Sequence, residues 1–209
     1  MQNLKVTPIS YQEAARLVIT YHYLHRKPPI SFAYGLVGGD GSILGCITLG
    51  TPASRHMLIG ACKTSPENVI ELNRLWCHDS LPKNTESWFI SRVLAALPPK
   101  IVLSYADTSK GHLGYVYRAA NFYYAGWTDM NRKTPRFDYV VPGKHSRDAF
   151  RTGFTHRVRR KPKIKYWTVT GNRRERKHLE SICLWPKFDW KTMPPPIEHK
   201  QADFQQRGA

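Results

Sequence analysis

The chain has 209 residues, 41% of them apolar and 12% aromatic, which is enough for a single folded domain with a sizeable core. That composition excludes a disordered chain, and no apolar run approaches the roughly 20 residues needed to cross a bilayer. Lys and Arg number 32 against 15 Asp and Glu, a formal charge of +17, so a polyanionic partner and salt-dependent binding are expected.

The excess is uneven: 15 basic and 9 acidic residues precede Lys144, and 17 and 6 follow from there. Cys46, Cys62, Cys77 and Cys183 are widely spaced and form no CxxC pair, so reduced thiols are expected rather than a zinc site or a disulfide framework. The opening MQNLKVTPISYQEA lacks the basic start and apolar run of a signal peptide, and the chain is expected to stay in the cytoplasm where it is made.

In chain order, Ser10 and Glu13 read as a capping box opening the helix YQEAARLVITYHYL, which ends before Pro28. ISFAYGLVG and SILGCITLG read as strands joined by the hairpin signal GGDG. VIELNRLWC is a further strand, NTESWFISRVLAAL a helix stopped by Pro98 and Pro99, and IVLSYA a buried strand. HLGYVYRAA then reads as a short helix, and FYYAGWT and RFDYVVPG as two strands. The order implies a mixed sheet with a parallel step between VIELNRLWC and IVLSYA, crossed by the helix that carries Trp88. Ligands of such sheets bind at the carboxyl ends of the parallel strands, which gathers Cys77, His78, Asp79, Ser104 and Asp107 at one mouth. Past Gly143 the composition shifts. KYWTVTG reads as a strand, NRRERKHLESICLW as a basic helix capped by Asn172, and the residues after Trp190 as a loose tail.

Three clusters carry chemistry. Tyr117 ends a short helix five residues before Phe122, which resembles the Y-x-x-x-G-F signature of the Gcn5-related N-acyltransferase (GNAT) fold. In that family a tyrosine protonates the departing leaving group, a role that suits a phenol; a core tyrosine is the plain alternative. The glycine-rich loop that cradles the coenzyme A pyrophosphate in that family is missing from CHDSLPKNTESW. In TYHYLHR, His22 and His25 have the spacing of one helical face, and Asp107, His112 and His78 are candidates to complete a carboxylate–histidine metal site. Finally Arg157, Arg159, Arg160, Lys161, Lys163 and Lys165 precede Tyr166 and Trp167, and Arg173, Arg174, Arg176 and Lys177 follow. Cations interleaved with aromatics suit phosphate tracking and base stacking; a solvated charged face is the plain alternative.

Taken together, TYHYLHR, VIELNRLWC, SYADTSKGHLGYVYRAANFYYAGW and KYWTVTGNRRERKHL resemble the phage Mom family of DNA-modification proteins. The resemblance implies an α/β (α+β) fold with a GNAT-like mixed central sheet flanked by helices and a basic carboxyl-terminal strand–helix extension. Expected limits are a catalytic core over residues 1–143, the basic extension over 144–190 and a flexible tail over 191–209. The resemblance further implies conversion of adenine in duplex DNA to N6-(carbamoylmethyl)adenine, a shield against host restriction, in the cytoplasm of the bacterial host. Matched positions are His22 and Tyr23, Arg74, Asp107 and Tyr117. The His-Tyr, Asp and Tyr set of the family is associated with iron, which makes His22, Tyr23 and Asp107 candidate Fe(II) ligands.

A duplex adenine must be flipped to react, and Tyr21, Tyr23, Trp76, Tyr115 and Tyr123 are candidates to stack it. The atoms added in the family's product are those of glycine, so an activated glycyl donor such as glycyl-tRNA is expected, with Asp107 as base and Tyr117 as acid. Acetyl-CoA with iron chemistry is the competing donor. Two other classes stay open: a conventional N-acetyltransferase using acetyl-CoA, and a non-catalytic basic DNA-binding protein.

Overall fold

The computed structural model describes residues 3–129, 132–141 and 146–192. In chain order its first elements are β1 (Lys5–Pro8), α1 (Tyr11–Tyr21), β2 (Phe32–Val37), β3 (Ile43–Gly50), α2 (Arg55–Ala61), β4 (Val69–Cys77), α3 (Thr85–Ala96) and β5 (Ile101–Ala106). Then come α4 (Tyr115–Ala119), β6 (Tyr123–Trp127), β7 (Phe137–Val140), α5 (Ser146–Thr152), β8 (His156–Arg159), β9 (Ile164–Val169) and α6 (Arg173–Ile182). Seven strands form one sheet in the order β1-β2-β3-β4-β5-β9-β6, and β7 and β8 pair apart from it. The β4–β5 pair is parallel and every other pair is antiparallel. The expected mixed sheet and its parallel step, with α3 as crossover, are therefore present.

Sheet residues alternate between two buried faces. On one face, Phe89, Ile90 and Val93 of α3 pack with Val102, Ile164 and Tyr166. On the other, α1 lays Ala14, Leu17 and Val18 on Ala33 and Cys46, while Leu179 of α6 packs with Leu103 and Trp167. Fully burying a side chain such as Phe89 or Leu103 stabilises the fold by about 1.5–3 kcal/mol. β9 comes from the basic stretch expected to form an extension packed on the core. It lies inside the sheet instead, because Ile164 and Tyr166 fill one face and Trp167 and Val169 the other.

The short elements β1, α2, α5 and β8 go beyond those expected from the sequence. The tail expected to be loose lies, from residue 193 on, outside the described residues. Ser10 caps α1 by accepting from the Glu13 amide (3.1 Å), but the Glu13 carboxylate accepts from Arg16 (2.6 Å). The reciprocal box is complete at α6, where Asn172 accepts from the Glu175 amide (3.0 Å) and Glu175 accepts from the Asn172 amide (2.7 Å).

The feature that makes room for a site is a fork. β4 and β5 pair only at Val69–Ile101, Ile70–Val102 and Glu71–Leu103, then part. On the other edge of β4, Leu72 pairs with Leu49 and Arg74 with Thr48, which leaves Asn73 as an extra residue, a β-bulge. Asn73 is pinned there: it accepts from Thr48 Oγ1 (2.6 Å) and donates to the Pro29 carbonyl (2.7 Å).

Candidate active site

The fork opens into a cavity of about 590 Å³. Its walls come from the end of α1 (Tyr21–Leu24), from β4 (Glu71–Cys77), from Tyr105 and Ala106 of β5, from the loop and helix Gly111–Tyr117, and from Lys163. Gly114, at φ 82°, fixes that loop: a Cβ there would collide with the Tyr166 ring, whose hydroxyl donates to the Leu113 carbonyl (2.6 Å).

Glu71 stands at the apex of the fork. Burial lifts its carboxyl to about 7, against the pull of the nearby Arg74 and Lys163 charges. Reading the sequence for motifs passes over it as one polar letter in an apolar strand. Yet an acid between two apolar neighbours in a doubly covered strand is a signal available there.

Arg74 follows the bulge. Its guanidinium donates to the Asn73 carbonyl (2.6 Å) and the Arg26 carbonyl (3.4 Å), while its buried Nε has no partner among the described residues. Burial, ahead of the Arg74 charge, lowers the His22 imidazole to about 4. His22 is thus neutral at pH 7. Its Nδ1 accepts from the Leu24 amide (3.2 Å), so the proton sits on Nε2 and that nitrogen is a donor. Tyr23 tilts against the His22 ring (4.2 Å between centroids) and meets His112 edge-on (5.4 Å). Burial, helped by the Asp107 charge, pushes its phenol up to about 12.

Tyr117 is buried beside Phe122 and Tyr166, and burial raises its phenol above the ordinary value, against the opposing effect of the Ser104 hydroxyl. Ser104 is wholly buried and donates to the Leu72 carbonyl (2.9 Å), so it supports the tyrosine and bridges the fork behind the cavity. Asp107 caps the turn after β5: it accepts from the Ser109 amide (3.0 Å) and hydroxyl (2.6 Å), and Lys163 Nζ lies 3.0 Å from its other oxygen. Burial pushes the Asp107 carboxyl up, but the Ser109 hydrogen bonds and the Lys163 ammonium outweigh it and hold the group below the usual carboxylate range. Tyr21 stacks on Trp76 at 4.5 Å and 12°, and both line the cavity.

The fork therefore brings His22, Tyr23, Arg74 and Tyr117 to one cavity, with Ser104 just behind; Asp107 is not in the wall and meets it only through Lys163. Other expectations are corrected. α1 ends at Tyr21, so His22 and His25 do not share a helical face; His25, at φ 44°, bonds the Ile19 carbonyl through Nδ1 (2.9 Å). His78 bonds Ser80 (2.8 Å) and is not in the cavity wall, and the Tyr123 hydroxyl donates to Glu180 (3.1 Å) on the α6 side. Arg160, expected on nucleic acid, is held by both oxygens of Asp138 (3.1 Å from Nε to each).

An iron site fits poorly here. Of His22, Tyr23 and Asp107, the first two line the cavity while Asp107 does not and is engaged by Lys163 and Ser109; among the described residues no three His, Cys, Asp or Glu side chains are grouped so as to hold a metal ion either. The α3 end of the cavity fits a pyrophosphate no better. Asn84 opens α3 in the left-handed region (φ 70°) without a side-chain cap, and Asp79 and Glu86 line that end with carboxylates.

Against this geometry stand the known proteins. The model of the Mom protein family matches residues 3–181. The chain belongs to the Mom protein family. Its relative "Methylcarbamoylase mom" of Escherichia phage Mu is 33% identical over 133 residues, a match covering 60% of this chain and 54% of that protein. The chain thus spans about half the length of the curated relative it matches. Solved structures resemble it more loosely. A GNAT-family acetyltransferase from Bacillus cereus aligns at TM-score 0.45 and 14% identity, covering 81% of this chain and 99% of that one. A ribosomal-protein-S5-alanine acetyltransferase from Vibrio fischeri aligns at TM-score 0.47 and 9% identity, covering 82% and 96%. Likeness at that level says nothing of donor or substrate. Among the described residues no helix is long and apolar enough to cross a membrane.

Proposed function

We propose that this Mom-family chain modifies phage DNA by converting adenine in the duplex to N6-(carbamoylmethyl)adenine. The observation that carries the reading is the forked cavity, which holds a carboxyl near neutral pKa (Glu71), a cation (Arg74), a neutral imidazole donor (His22) and a phenol (Tyr117) around one volume. The name of the phage Mu relative agrees with it. The flipped base enters the cavity, and the Tyr21–Trp76 stack forms an aromatic wall for it.

Adenine N6 is a weak nucleophile, so the donor is an activated ester, and its glycyl group accounts for every atom added. N6 attacks the ester carbonyl; the N6–C(O) bond forms, the ester C–O bond breaks, and the released oxygen takes a proton. The free glycyl amine then attacks ring C6. The C6–N6 bond breaks, the amine nitrogen becomes the new exocyclic nitrogen, and the old N6 leaves as the terminal amide. No oxidant or reductant is needed.

Glu71 takes the proton from the attacking nitrogen, since its pKa of about 7 suits exchange near neutral pH. Tyr117 supplies the proton to the leaving oxygen, and Arg74 and His22 Nε2 stabilise the negative charge on the carbonyl oxygen. Asp107, expected as the base, is better suited to positioning, because Lys163 and Ser109 already satisfy it. Mass spectrometry of nucleosides from DNA of cells expressing the chain tests the reading: a modified adenine of the carbamoylmethyl mass supports it, and wholly unmodified DNA overturns it.

A further inference from the structure

The basic stretch after β7 has a pattern that its total charge conceals. Cations occupy every second position: Arg157, Arg159, Lys161, Lys163 and Lys165. Between them, Arg160 is turned to Asp138, and Ile164 is wholly buried in the core. Arg157 and Arg159 lie on β8, two residues apart and hence on one face of the ribbon, with the Arg157 guanidinium 4.5 Å from the centre of the Phe137 ring.

The path beyond the ribbon is held at the backbone. The Arg160 amide donates to the Arg136 carbonyl (2.8 Å), Thr108 Oγ1 donates to the Pro162 carbonyl (2.7 Å), and the Lys163 amide donates to Thr128 Oγ1 (2.8 Å). Arg157, Arg159 and Lys161 are exposed, whereas Lys163 reaches the cavity wall and Asp107. Alternate residues of an extended chain stand about 6.6 Å apart. A row of exposed cations that starts at this interval on β8 and continues through Lys161 toward the cavity suits a line of phosphates better than a scattered basic surface does.

We infer that Arg157, Arg159 and Lys161 form a track for the sugar–phosphate backbone of one DNA strand, which the track leads to the cavity at Lys163. The inference rests on the proposed reading of the cavity as the place where a DNA base reacts, and it names the surface that delivers the strand. The basic helix α6 has no part in the track: Leu179 seats it on the opposite side of the sheet from α3, and none of its residues lines the cavity.

The test is the salt dependence of binding to a fluorescent DNA duplex, measured by anisotropy on the full chain. Removing a cation that neutralises one phosphate should flatten the log Kd against log salt slope by about 0.9. Arg157→Gln, Arg159→Gln and Lys161→Gln should each flatten it by that amount, while Arg157→Lys, Arg159→Lys and Lys161→Arg should keep the parent slope. Arg160→Gln should leave the slope unchanged, because Asp138 already neutralises that guanidinium.

Far-ultraviolet circular dichroism of each variant identifies any misfolded one, for which the charge-conserving version at the same position gives the reading. An unchanged slope in the three Gln variants, with a flattened slope when Arg173, Arg174 and Lys177 are replaced, would overturn the track and assign the duplex to α6. Tighter binding of a single-stranded RNA than of the duplex, with the same three residues responsible, would overturn the assignment to DNA. Failure of the proposed function looks different: the parent chain binds duplex with a steep slope, yet its DNA carries no modified adenine.

Discussion

Glu71 and Leu103 are the last residues that β4 and β5 pair, so the Glu71 carboxyl sits where the two strands part. Everything else in the cavity is arranged from that point. The bulge at Asn73 turns Arg74 inward, Ser104 bridges the fork to the Leu72 carbonyl, and α4 sets Tyr117 against the gap.

Glu71→Gln should lower kcat by roughly 10²–10⁴-fold, the usual weight of a general base. The working form is the carboxylate, so the rate of the parent enzyme should rise with pH and level off above about 7. That limb should vanish in the variant. His22 titrates at about 4 and cannot be its source, so His22→Gln should lower the rate without moving the limb. A pH–rate profile of the three proteins checks both statements.

The same carboxyl makes a stability prediction of definite sign. Its folded pKa lies above the unfolded value, so the native state binds more protons between about 4.5 and 7. The stabilisation is full below that window and is lost as pH rises through it. Above pH 7, Glu71→Gln should therefore be more stable than the parent, by at most about 3 kcal/mol. Urea melts at pH 5 and pH 8 measure it, and a variant less stable than the parent at pH 8 would contradict the reading.

Much of this was legible in the chain and some was not. The hairpin around GGDG, the helix over NTESWFISRVLAAL and the parallel crossover follow from local pattern and turn chemistry. The position of β9 does not, because KYWTVTG reads as a strand whichever neighbours it takes, and nothing local tells it which strands those are. The His22–His25 spacing misled for a local reason: the His22 imidazole accepts the Leu24 amide and the helix ends, so three residues of spacing no longer mean one face. The pairing of Arg160 with Asp138 joins residues 22 positions apart, which a charge count cannot see.

Lys163 and Asp107 should behave as one unit. Asp107→Asn and Lys163→Gln should each lower activity, and the double variant should lose less than the product of the two. A coupling of about 0.5–3 kcal/mol in the double-mutant cycle is expected for a contacting pair. Additive losses would mean that each residue acts alone.

Tyr117→Phe should cut kcat while leaving DNA affinity close to that of the parent, at a stability cost of only about 0.5–1.5 kcal/mol for the lost hydroxyl interaction with Ser104, since the ring keeps its packing on Phe122 and Tyr166. Trp76→Ala should act oppositely. It removes a stacking surface worth about 1–3 kcal/mol per base, so KM for DNA should rise by roughly 5–150-fold. Steady-state kinetics on a duplex containing adenine separates the two patterns.

The central claim is that the cavity transfers a glycyl group to adenine and rearranges it. Cells expressing the chain and fed glycine labelled with 15N should yield modified adenine whose heavy nitrogen is the one bonded to ring C6, while the terminal amide keeps the nitrogen of adenine. Fragmentation by tandem mass spectrometry locates the label. Label at the nitrogen bonded to C6, beyond the ring label at N7 that glycine gives every purine, is the predicted result; a modification whose two side-chain nitrogens carry no label, or that carries it in the terminal amide, would contradict the account.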